Sequence, residues 1–185
     1  MLNLELIDKT WTLFLDRDGV INVDKPNSYI FNPDEFRFYH GVLSSLQKLN
    51  QGFGHIVVVT NQRGIGRGLM TESDLQAIHA KMMKEVIANQ GRIDKIYYCA
   101  TNDNDDPRRK PNPGMAYEAR QDFPSIDFSR SLIVGNNFSD MQFGRNAGMK
   151  TVFVRTTIQD IELPHDDIDL AFSDLEDFTK ALHIP

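Results

Sequence analysis

Five short runs of almost uninterrupted apolar residues, separated by longer amphipathic stretches, constrain the fold of this chain more than any other feature. The runs are rich in Val, Ile, Phe and Tyr. Such continuous apolarity is typical of parallel strands that are buried on both faces of a sheet. The predicted strands are Thr12–Asp16, His55–Thr60, Lys95–Ala100, Ser131–Gly135 and Lys150–Val154.

The stretches between these strands carry the signals of helices. Their apolar residues recur with helical spacing, Thr71 can cap the start of one helix, and Gly148 can end another. The alternation predicts an α/β fold with a doubly wound parallel sheet, and the length favours a single domain over residues 1–185. The predicted helices are Gly41–Gln51, Thr71–Asn89, Pro113–Asp122 and Ser139–Ala147, and a last strand and helix lie near 169–172 and 175–182.

Polar residues that could serve a ligand follow four of the predicted strands. In a doubly wound sheet the ligand binds beyond the carboxyl ends of the strands, so these residues should meet in one crevice. Taken singly, each cluster is more often a turn, a helix cap or a solvated run, but four clusters at one edge favour a shared function. The clusters are Asp16 and Asp18; Thr60, Asn61, Gln62 and Arg63; Arg108, Arg109 and Lys110; and Asn136, Asn137 and Asp140.

Together the clusters suit the transfer of a phosphoryl group. Asp16 and Asp18 offer a nucleophile and a proton donor, provided that their environments separate their pKa values. Because a carboxylate and a phosphate repel each other, a cation has to lie between them, and Mg²⁺ suits a site with few protein oxygens. Lys110 and Thr60 can neutralise and hydrogen-bond the phosphoryl oxygens in the transition state.

Composition and charge disfavour several other classes of protein. The formal net charge of −6 argues against a nucleic-acid partner, which needs a basic face, but allows a small phosphorylated metabolite in a local basic pocket. Cys99 is the single cysteine, so no internal disulfide can form, and a cytoplasmic protein is expected. No apolar stretch is long enough to span a membrane, so no membrane partner is expected. The expected state is a monomer.

In their order along the chain these residues resemble the haloacid dehalogenase (HAD) superfamily, with D-x-D-G, a strand-ending Thr, Lys-Pro and G-x-x-x-x-D. The closer resemblance is to its branch of D,D-heptose 1,7-bisphosphate phosphatases and histidinol phosphatases, over about residues 12 to 155. That branch implies a Rossmann-like sheet with strand order 5-4-1-2-3 and a minimal cap, since the motifs leave no room for a large one. The similar blocks are LFLDRDGVINVD, VVVTNQRGIGRG, IYYC, RKPNPGM and FSDMQFGRNAGM.

The resemblance also implies a role for each matching residue. Asp16 would be the nucleophile and Asp18 the general acid and base, while Thr60 and Lys110 would bind the transferring phosphate. The remaining matched residues would contact the substrate. They are Asp24, Lys25, Pro26, Asn27, Asn61, Gln62, Arg63, Arg109 and Asn137.

The implied Mg²⁺ site departs from the family pattern at one ligand. The Asp16 carboxylate, the Asp18 backbone carbonyl and the Asn136 side chain would hold the cation, and the family usually has Asp at the last of these positions. Asn keeps an oxygen ligand but loses a negative charge, so we expect weaker Mg²⁺ binding. Asp140, one helical turn further on, could compensate directly or through water.

Two further departures concern zinc and positive charge. Many members carry a structural zinc site, C-x-H with a later C-x-C, after the third strand. Here only Cys99 remains of that site, so no zinc is expected. Arg63 replaces a small residue and Asn137 replaces a Lys, so Arg63 is expected to restore positive charge near the phosphate.

These observations predict a Mg²⁺-dependent phosphomonoester hydrolase that forms an aspartyl-phosphate and acts on a small phosphorylated metabolite. D-glycero-D-manno-heptose 1,7-bisphosphate, which would lose its 7-phosphate, is the first substrate to consider, and histidinol phosphate is the alternative. Two other classes stay open, a phosphate-binding protein weakened at Asn136 and a phosphatase that processes nucleic-acid ends. The retained Asp16 disfavours the former, and the net charge disfavours the latter.

Overall fold

Six parallel strands form one sheet in the computed structural model, which describes residues 2–184. Along the sheet the order is β3-β2-β1-β4-β5-β6, and each neighbouring pair is parallel. The predicted α/β fold is confirmed, and the expected order 5-4-1-2-3 is extended by one strand beyond β5. The strands are β1 (Thr12–Leu15), β2 (His55–Asn61), β3 (Lys95–Cys99), β4 (Ser131–Gly135), β5 (Lys150–Val154) and β6 (Leu170–Phe172).

Helices cover both faces of this sheet because its central strands bury side chains on both. Along β1, Leu13 and Leu15 join one apolar core, and Phe14 between them joins the other. This alternation explains why the strands read as continuous apolar runs. In residues 2–184, no helix is both long and apolar enough to cross a membrane. The helices are α1 (Val42–Gly52), α2 (Arg63–Gly66), α3 (Glu72–Ala88), α4 (Gly114–Asp122), α5 (Phe138–Ala147) and α6 (Leu175–Ala181), with 3₁₀ turns at Leu4–Leu6 and Phe128–Arg130.

The helix ends carry the capping signals of the sequence. A capping box pairs Thr71 with Asp74 at the start of α3, and a second pairs Asn137 with Asp140 at the start of α5. Gly148 ends α5 in the left-handed conformation, with a φ of 85°. The four-residue helix α2 was not predicted, because a single turn is too short to show helical periodicity.

The chain changes direction in the sheet between β1 and β4. Strand β2 pairs with one side of β1, whereas β4 pairs with the opposite side. Strand β5 then pairs with β4 and extends the sheet on that side. The Asp16 backbone N–H donates to the Val134 carbonyl at 3.0 Å, so the ends of β1 and β4 lie together. This is the topological switch point, where an open α/β sheet binds its ligand.

Candidate active site

The cavity at this switch point has a volume of about 320 Å³ and is lined by most of the predicted site residues. The predicted residues that line it are Asp16, Asp18, Asp24, Lys25, Thr60, Asn61, Arg109, Lys110, Asn136, Asn137 and Asp140. Residues that the sequence did not single out also line it, namely Ser28, Tyr29, Ile30, Ser139 and Thr157. The strand-end clusters therefore do meet in one crevice.

Lys110 lies at the floor of the cavity between two carboxylates. Its Nζ atom is 2.8 Å from Asp16 Oδ1 and 2.6 Å from Asp140 Oδ1, and it donates to the Val59 carbonyl at 2.9 Å. The Asn61 side chain exchanges two hydrogen bonds of 3.1 Å with the Lys110 backbone and so ties it to the end of β2. Burial disfavours the charged lysine, but the two carboxylates raise its pKa above the ordinary value, so Lys110 is a fixed positive charge.

The two acids of the D-x-D motif have separated pKa values. Burial raises the pKa of Asp16 to about 7, although the positive charge of Lys110 acts in the opposite direction. Burial also acts to raise the pKa of Asp18, but the charge and hydrogen bonds of Arg17 outweigh it, so this pKa lies below its ordinary value. A bound divalent cation would add positive charge and favour ionised Asp16. The environments thus distinguish the two carboxyl groups, with the higher pKa at Asp16 and the lower one at Asp18.

A buried cluster of polar side chains orients Asp18. Arg17 is fully buried, and its Nη2 atom lies 2.7 Å from Asp18 Oδ2. Asn22 Nδ2 and Gln62 Nε2 donate to the same carboxylate at 2.9 and 2.8 Å. Behind them, Arg17 Nη1 lies 3.1 Å from His79 Nε2, on α3. Arg17, Asn22 and His79 were missed, because residue spacing does not show that they converge on one carboxylate.

The hydroxyl group of Thr60 is left free to donate into the cavity. Thr60 is buried near the end of β2, and its Oγ1 atom accepts a hydrogen bond of 2.9 Å from Gln62 Nε2. Because that contact uses the oxygen as an acceptor, its own proton remains available for another group. A phosphoryl oxygen between Thr60 and Lys110 would meet a neutral donor on one side and a positive charge on the other.

Four of the residues predicted to bind substrate do not line the cavity. Gln62 is buried behind Thr60, where it supports the site instead of facing it. Arg63 donates to Asn104 Oδ1 at 2.6 Å, so its guanidinium is directed at a surface loop. Pro26 and Asn27 are exposed at the tip of the segment after β1, and Asn27 has a φ of 57°. The structure thus gives no cavity contact for these four residues, because motif matching does not give side-chain direction, and their contact with substrate stays a prediction.

Arg109 is half-buried and supplies positive charge at the rim of the cavity. It lines the cavity, and its Nη1 atom donates to the Thr101 carbonyl at 3.4 Å. Burial and the nearby charge of Arg63 both lower the pKa of Arg109 from its ordinary value. Arg63 therefore lies close enough to add positive charge to this rim, although it does not face the cavity. Lys25 also lines the cavity, but its Nζ atom forms an ion pair of 2.7 Å with Glu35.

The Asn136 side chain has the features expected of a metal ligand. Its Oδ1 atom is buried and has no hydrogen-bond partner among residues 2–184, whereas its Nδ2 atom donates to Thr157 Oγ1 at 2.7 Å. The amide packs against Gly19, whose φ is 87° and where a Cβ atom would collide with it. An unpartnered buried oxygen on a residue that lines the same cavity as Asp16 fits a hard cation such as Mg²⁺, which prefers oxygen ligands.

Asp140, in contrast, has protein partners at both of its carboxylate oxygens. Its Oδ1 atom pairs with Lys110, and its Oδ2 atom accepts from the backbone N–H groups of Asn136 and Asn137 at 3.2 and 3.0 Å. These contacts use most of the acceptor capacity of the carboxylate, and the role of Asp140 in holding a metal, directly or through water, stays a prediction. In the described chain, no group of three or more His, Cys, Asp or Glu side chains could hold a metal ion. An amide or carbonyl oxygen must then contribute to any Mg²⁺ site here.

Comparison with known proteins agrees with this geometry. Residues 12–177 match a family model described as polynucleotide kinase 3 phosphatase. The D-glycero-alpha-D-manno-heptose-1,7-bisphosphate 7-phosphatase of Campylobacter jejuni is 38% identical over 146 residues, which cover 79% of this chain and 83% of that protein. The corresponding beta-anomer 7-phosphatase of Escherichia coli K12 is 38% identical over 154 residues, or 78% of each chain.

A solved structure extends the similarity to the fold. The D,D-heptose 1,7-bisphosphate phosphatase of B. bronchiseptica, complexed with magnesium and phosphate, superposes with a TM-score of 0.81 at 29% identity. The superposition covers 92% of this chain and 96% of that one. The chain therefore belongs to the polynucleotide kinase 3 phosphatase family and, within the HAD superfamily, to the heptose 1,7-bisphosphate phosphatase branch.

Proposed function

We propose that this protein is a Mg²⁺-dependent phosphomonoester hydrolase in which Asp16 becomes phosphorylated. The observation that carries the proposal is the placement of Lys110, 2.8 Å from Asp16 and held by the buried Asp140. A fixed ammonium group beside a strand-end carboxylate can neutralise a phosphoryl group at the point of attack. Thr60 supplies a hydroxyl donor at the end of the neighbouring strand.

The proposed reaction has two steps. Asp16 attacks the phosphorus, the bond to the ester oxygen breaks, and the leaving oxygen takes a proton from Asp18. Asp18 then removes a proton from water, which attacks the aspartyl-phosphate and releases inorganic phosphate. Asp16, the Asp18 carbonyl and Asn136 would hold Mg²⁺, which supplies charge that offsets the repulsion between carboxylate and phosphate. The lowered pKa keeps Asp18 ionised, which is the form that the second step needs, whereas the first step needs Asp18 to be protonated.

The proposed substrate is a heptose 1,7-bisphosphate, which loses its 7-phosphate. The similarity to 7-phosphatases over more than three quarters of the chain supports this choice, and the names of those relatives include both the alpha and the beta anomer. The basic rim at Arg109 suits a substrate that carries a second phosphate beyond the one attacked. The description of the family model also makes a 3′-phosphorylated nucleic acid a substrate to test.

A phosphate-release assay can decide between these substrates. We would compare both anomers of the heptose bisphosphate, histidinol phosphate and a 3′-phosphorylated oligonucleotide, each with Mg²⁺ and with a chelator. We expect the largest kcat/KM for a heptose bisphosphate, and the product of that reaction should keep its 1-phosphate. The Asp16→Asn variant should show no turnover. A larger kcat/KM for the oligonucleotide would contradict the proposal that the substrate is a heptose bisphosphate. Binding of phosphate without turnover of any compound would contradict the proposal that the protein is an enzyme, and it would favour a phosphate-binding protein.

A further inference from the structure

The Asn136 amide is one member of a chain of hydrogen bonds that runs to the segment after β1. Asn136 Nδ2 donates to Thr157 Oγ1 at 2.7 Å, and the Thr157 hydroxyl donates to Asp24 Oδ2 at 3.3 Å. The other oxygen of Asp24 accepts from the Tyr39 hydroxyl at 3.4 Å. Asn136 Oδ1, at the opposite end of the amide, is buried without a hydrogen-bond partner in the described part of the chain.

The direction of this chain is set by the chemistry of its ends. A carboxylate can only accept hydrogen bonds, so the single hydroxyl proton of Thr157 is directed at Asp24. The Thr157 oxygen then has only lone pairs to offer to Asn136. The amide must therefore present its NH₂ group to Thr157 and turn its oxygen to the other side. Reversal of the amide would place two acceptors in contact and leave the NH₂ group facing the cation site.

We propose that Thr157 is a positioning residue that, with Asp24, holds the oxygen of Asn136 towards the divalent cation. The inference rests on the proposed function, because the cation is the Mg²⁺ of the phosphatase. An aspartate at this position would need no such partner, since both ends of a carboxylate are oxygens. An asparagine side chain has a single oxygen that can bind a cation, and the hydrogen bond from Nδ2 to Thr157 directs that oxygen to the other side. The chain thus compensates for the lost carboxylate by fixing an orientation rather than by adding a charge.

The first test measures Mg²⁺ binding by calorimetry in the absence of any substrate. Thr157→Val keeps the shape of the side chain but removes the hydroxyl, so the amide can turn either way. We expect Mg²⁺ binding to weaken by roughly 5–10-fold, the scale of one hydrogen bond. Thr157→Ser restores the hydroxyl and should bind within about twofold of wild type. Thr10→Val, which removes an exposed hydroxyl before β1, is the matched control and should leave the affinity for Mg²⁺ unchanged.

A double-mutant cycle separates orientation from general damage. In the Asn136→Asp background both ends of the side chain are oxygens, so the Thr157 hydroxyl has nothing left to select. We therefore expect Thr157→Val to weaken Mg²⁺ binding by a smaller factor in that background than in wild type. An equal loss in both backgrounds would mean that Thr157 only supports the local structure, and the inference would be wrong.

The remaining outcomes distinguish this inference from the proposed function. If wild type binds Mg²⁺ and hydrolyses phosphate esters, but Thr157→Val binds Mg²⁺ equally well, the inference fails and the function stands. If wild type binds no Mg²⁺, both are contradicted. Weaker Mg²⁺ binding in Thr157→Val, with rescue by Thr157→Ser, supports the inference.

Discussion

The ammonium nitrogen of Lys110 lies 2.6 Å from Asp140 Oδ1, and both side chains are almost completely buried. The second oxygen of Asp140 accepts from two backbone N–H groups in the loop after β4. One carboxylate therefore fixes both the lysine that contacts Asp16 and the loop that carries Asn136. This relationship makes Asp140 an organiser of the site, whose two carboxylate oxygens both have protein partners.

We expect Asp140→Asn to destabilise the fold and to reduce turnover. The substitution leaves a buried lysine with one carboxylate fewer, and breaking a buried pair in this way costs about 3–5 kcal/mol. Urea unfolding and kcat measured on the same preparation would test both effects. Asp122→Asn, which breaks an exposed ion pair with Lys95, is the control and should have little effect. An Asp140→Asn variant as stable and as active as wild type would contradict the role given to Asp140.

For Asp18→Asn we expect turnover to fall by roughly 10²–10⁴-fold, the usual loss for a general acid or base. The amide keeps the size of the side chain but cannot take a proton from water. Because that water attacks the aspartyl-phosphate, phosphorylated enzyme should accumulate, and rapid-quench experiments can detect it. A change in kcat within about twofold would show that Asp18 is not the proton-transfer group.

The location of the site followed from sequence, whereas the directions of its side chains did not. Apolar runs fixed the strands, and the strand ends fixed the crevice, because parallel strands bring their carboxyl ends to one edge. Gln62 was predicted to contact substrate, yet it supports Asp18 and Thr60 from behind. Thr157 lies beyond β5 and outside every motif, so only its hydrogen bond to Asn136 marks it.

Arg17 and His79 show the same limit at longer range. They are 62 residues apart in sequence, yet Arg17 Nη1 lies 3.1 Å from His79 Nε2. Helical periodicity in α3 indicates a partly buried face but cannot indicate which strand-end residue that face meets. Tertiary packing, rather than local pattern, determines the support behind Asp18.

The pairing with Arg17 also predicts how stability depends on pH. Burial, reinforced by the charge of Arg17, lowers the pKa of His79 to about 3. An unfolded histidine titrates near ~6.5, so between these values the unfolded chain binds more protons than the folded protein. The contribution is fully present above the unfolded pKa and is lost as pH falls towards the folded one.

We therefore expect wild type to lose more stability than His79→Gln when the pH falls from about 7 to about 5, by on the order of 1–2 kcal/mol. Glutamine cannot take up a proton in this pH range, so the stability of His79→Gln should lack this dependence on pH. Urea unfolding at the two pH values would measure the difference, with His183→Gln, an exposed histidine, as the control. Parallel pH profiles for wild type and His79→Gln would rule out the lowered pKa.

We predict that the protein holds no structural zinc. Cys99 is the only cysteine and is buried, and burial raises the pKa of its thiol, which disfavours the thiolate that zinc requires. Elemental analysis of protein purified without added metal would test this, with Cys99→Ser analysed alongside. About one tightly held zinc per chain, absent from Cys99→Ser, would be the contrary result.

The last prediction concerns Asn136→Asp, which restores a negative charge beside the proposed cation. Opposite charges a few ångströms apart attract by several kcal/mol at an effective dielectric near ~20, and desolvation cancels much of this. We expect a net gain of about 1–2 kcal/mol, or roughly 5–30-fold tighter Mg²⁺ binding. The new carboxylate would lie across Thr157 from Asp24, and the single Thr157 proton can serve only one of them.

Without Mg²⁺, repulsion between the new carboxylate and that of Asp24 should make Asn136→Asp less stable than wild type. Saturating Mg²⁺ should instead make the variant more stable than wild type. Thermal unfolding with and without Mg²⁺ would reveal the reversal, and calorimetry would give the affinity directly. Turnover should rise at limiting Mg²⁺ and change little at saturation, because the same groups then act on the same phosphate. An unchanged Mg²⁺ affinity would mean that Asn136 does not contact the metal. An inert wild type alongside an active Asn136→Asp variant would instead identify a phosphate-binding site that has lost catalysis.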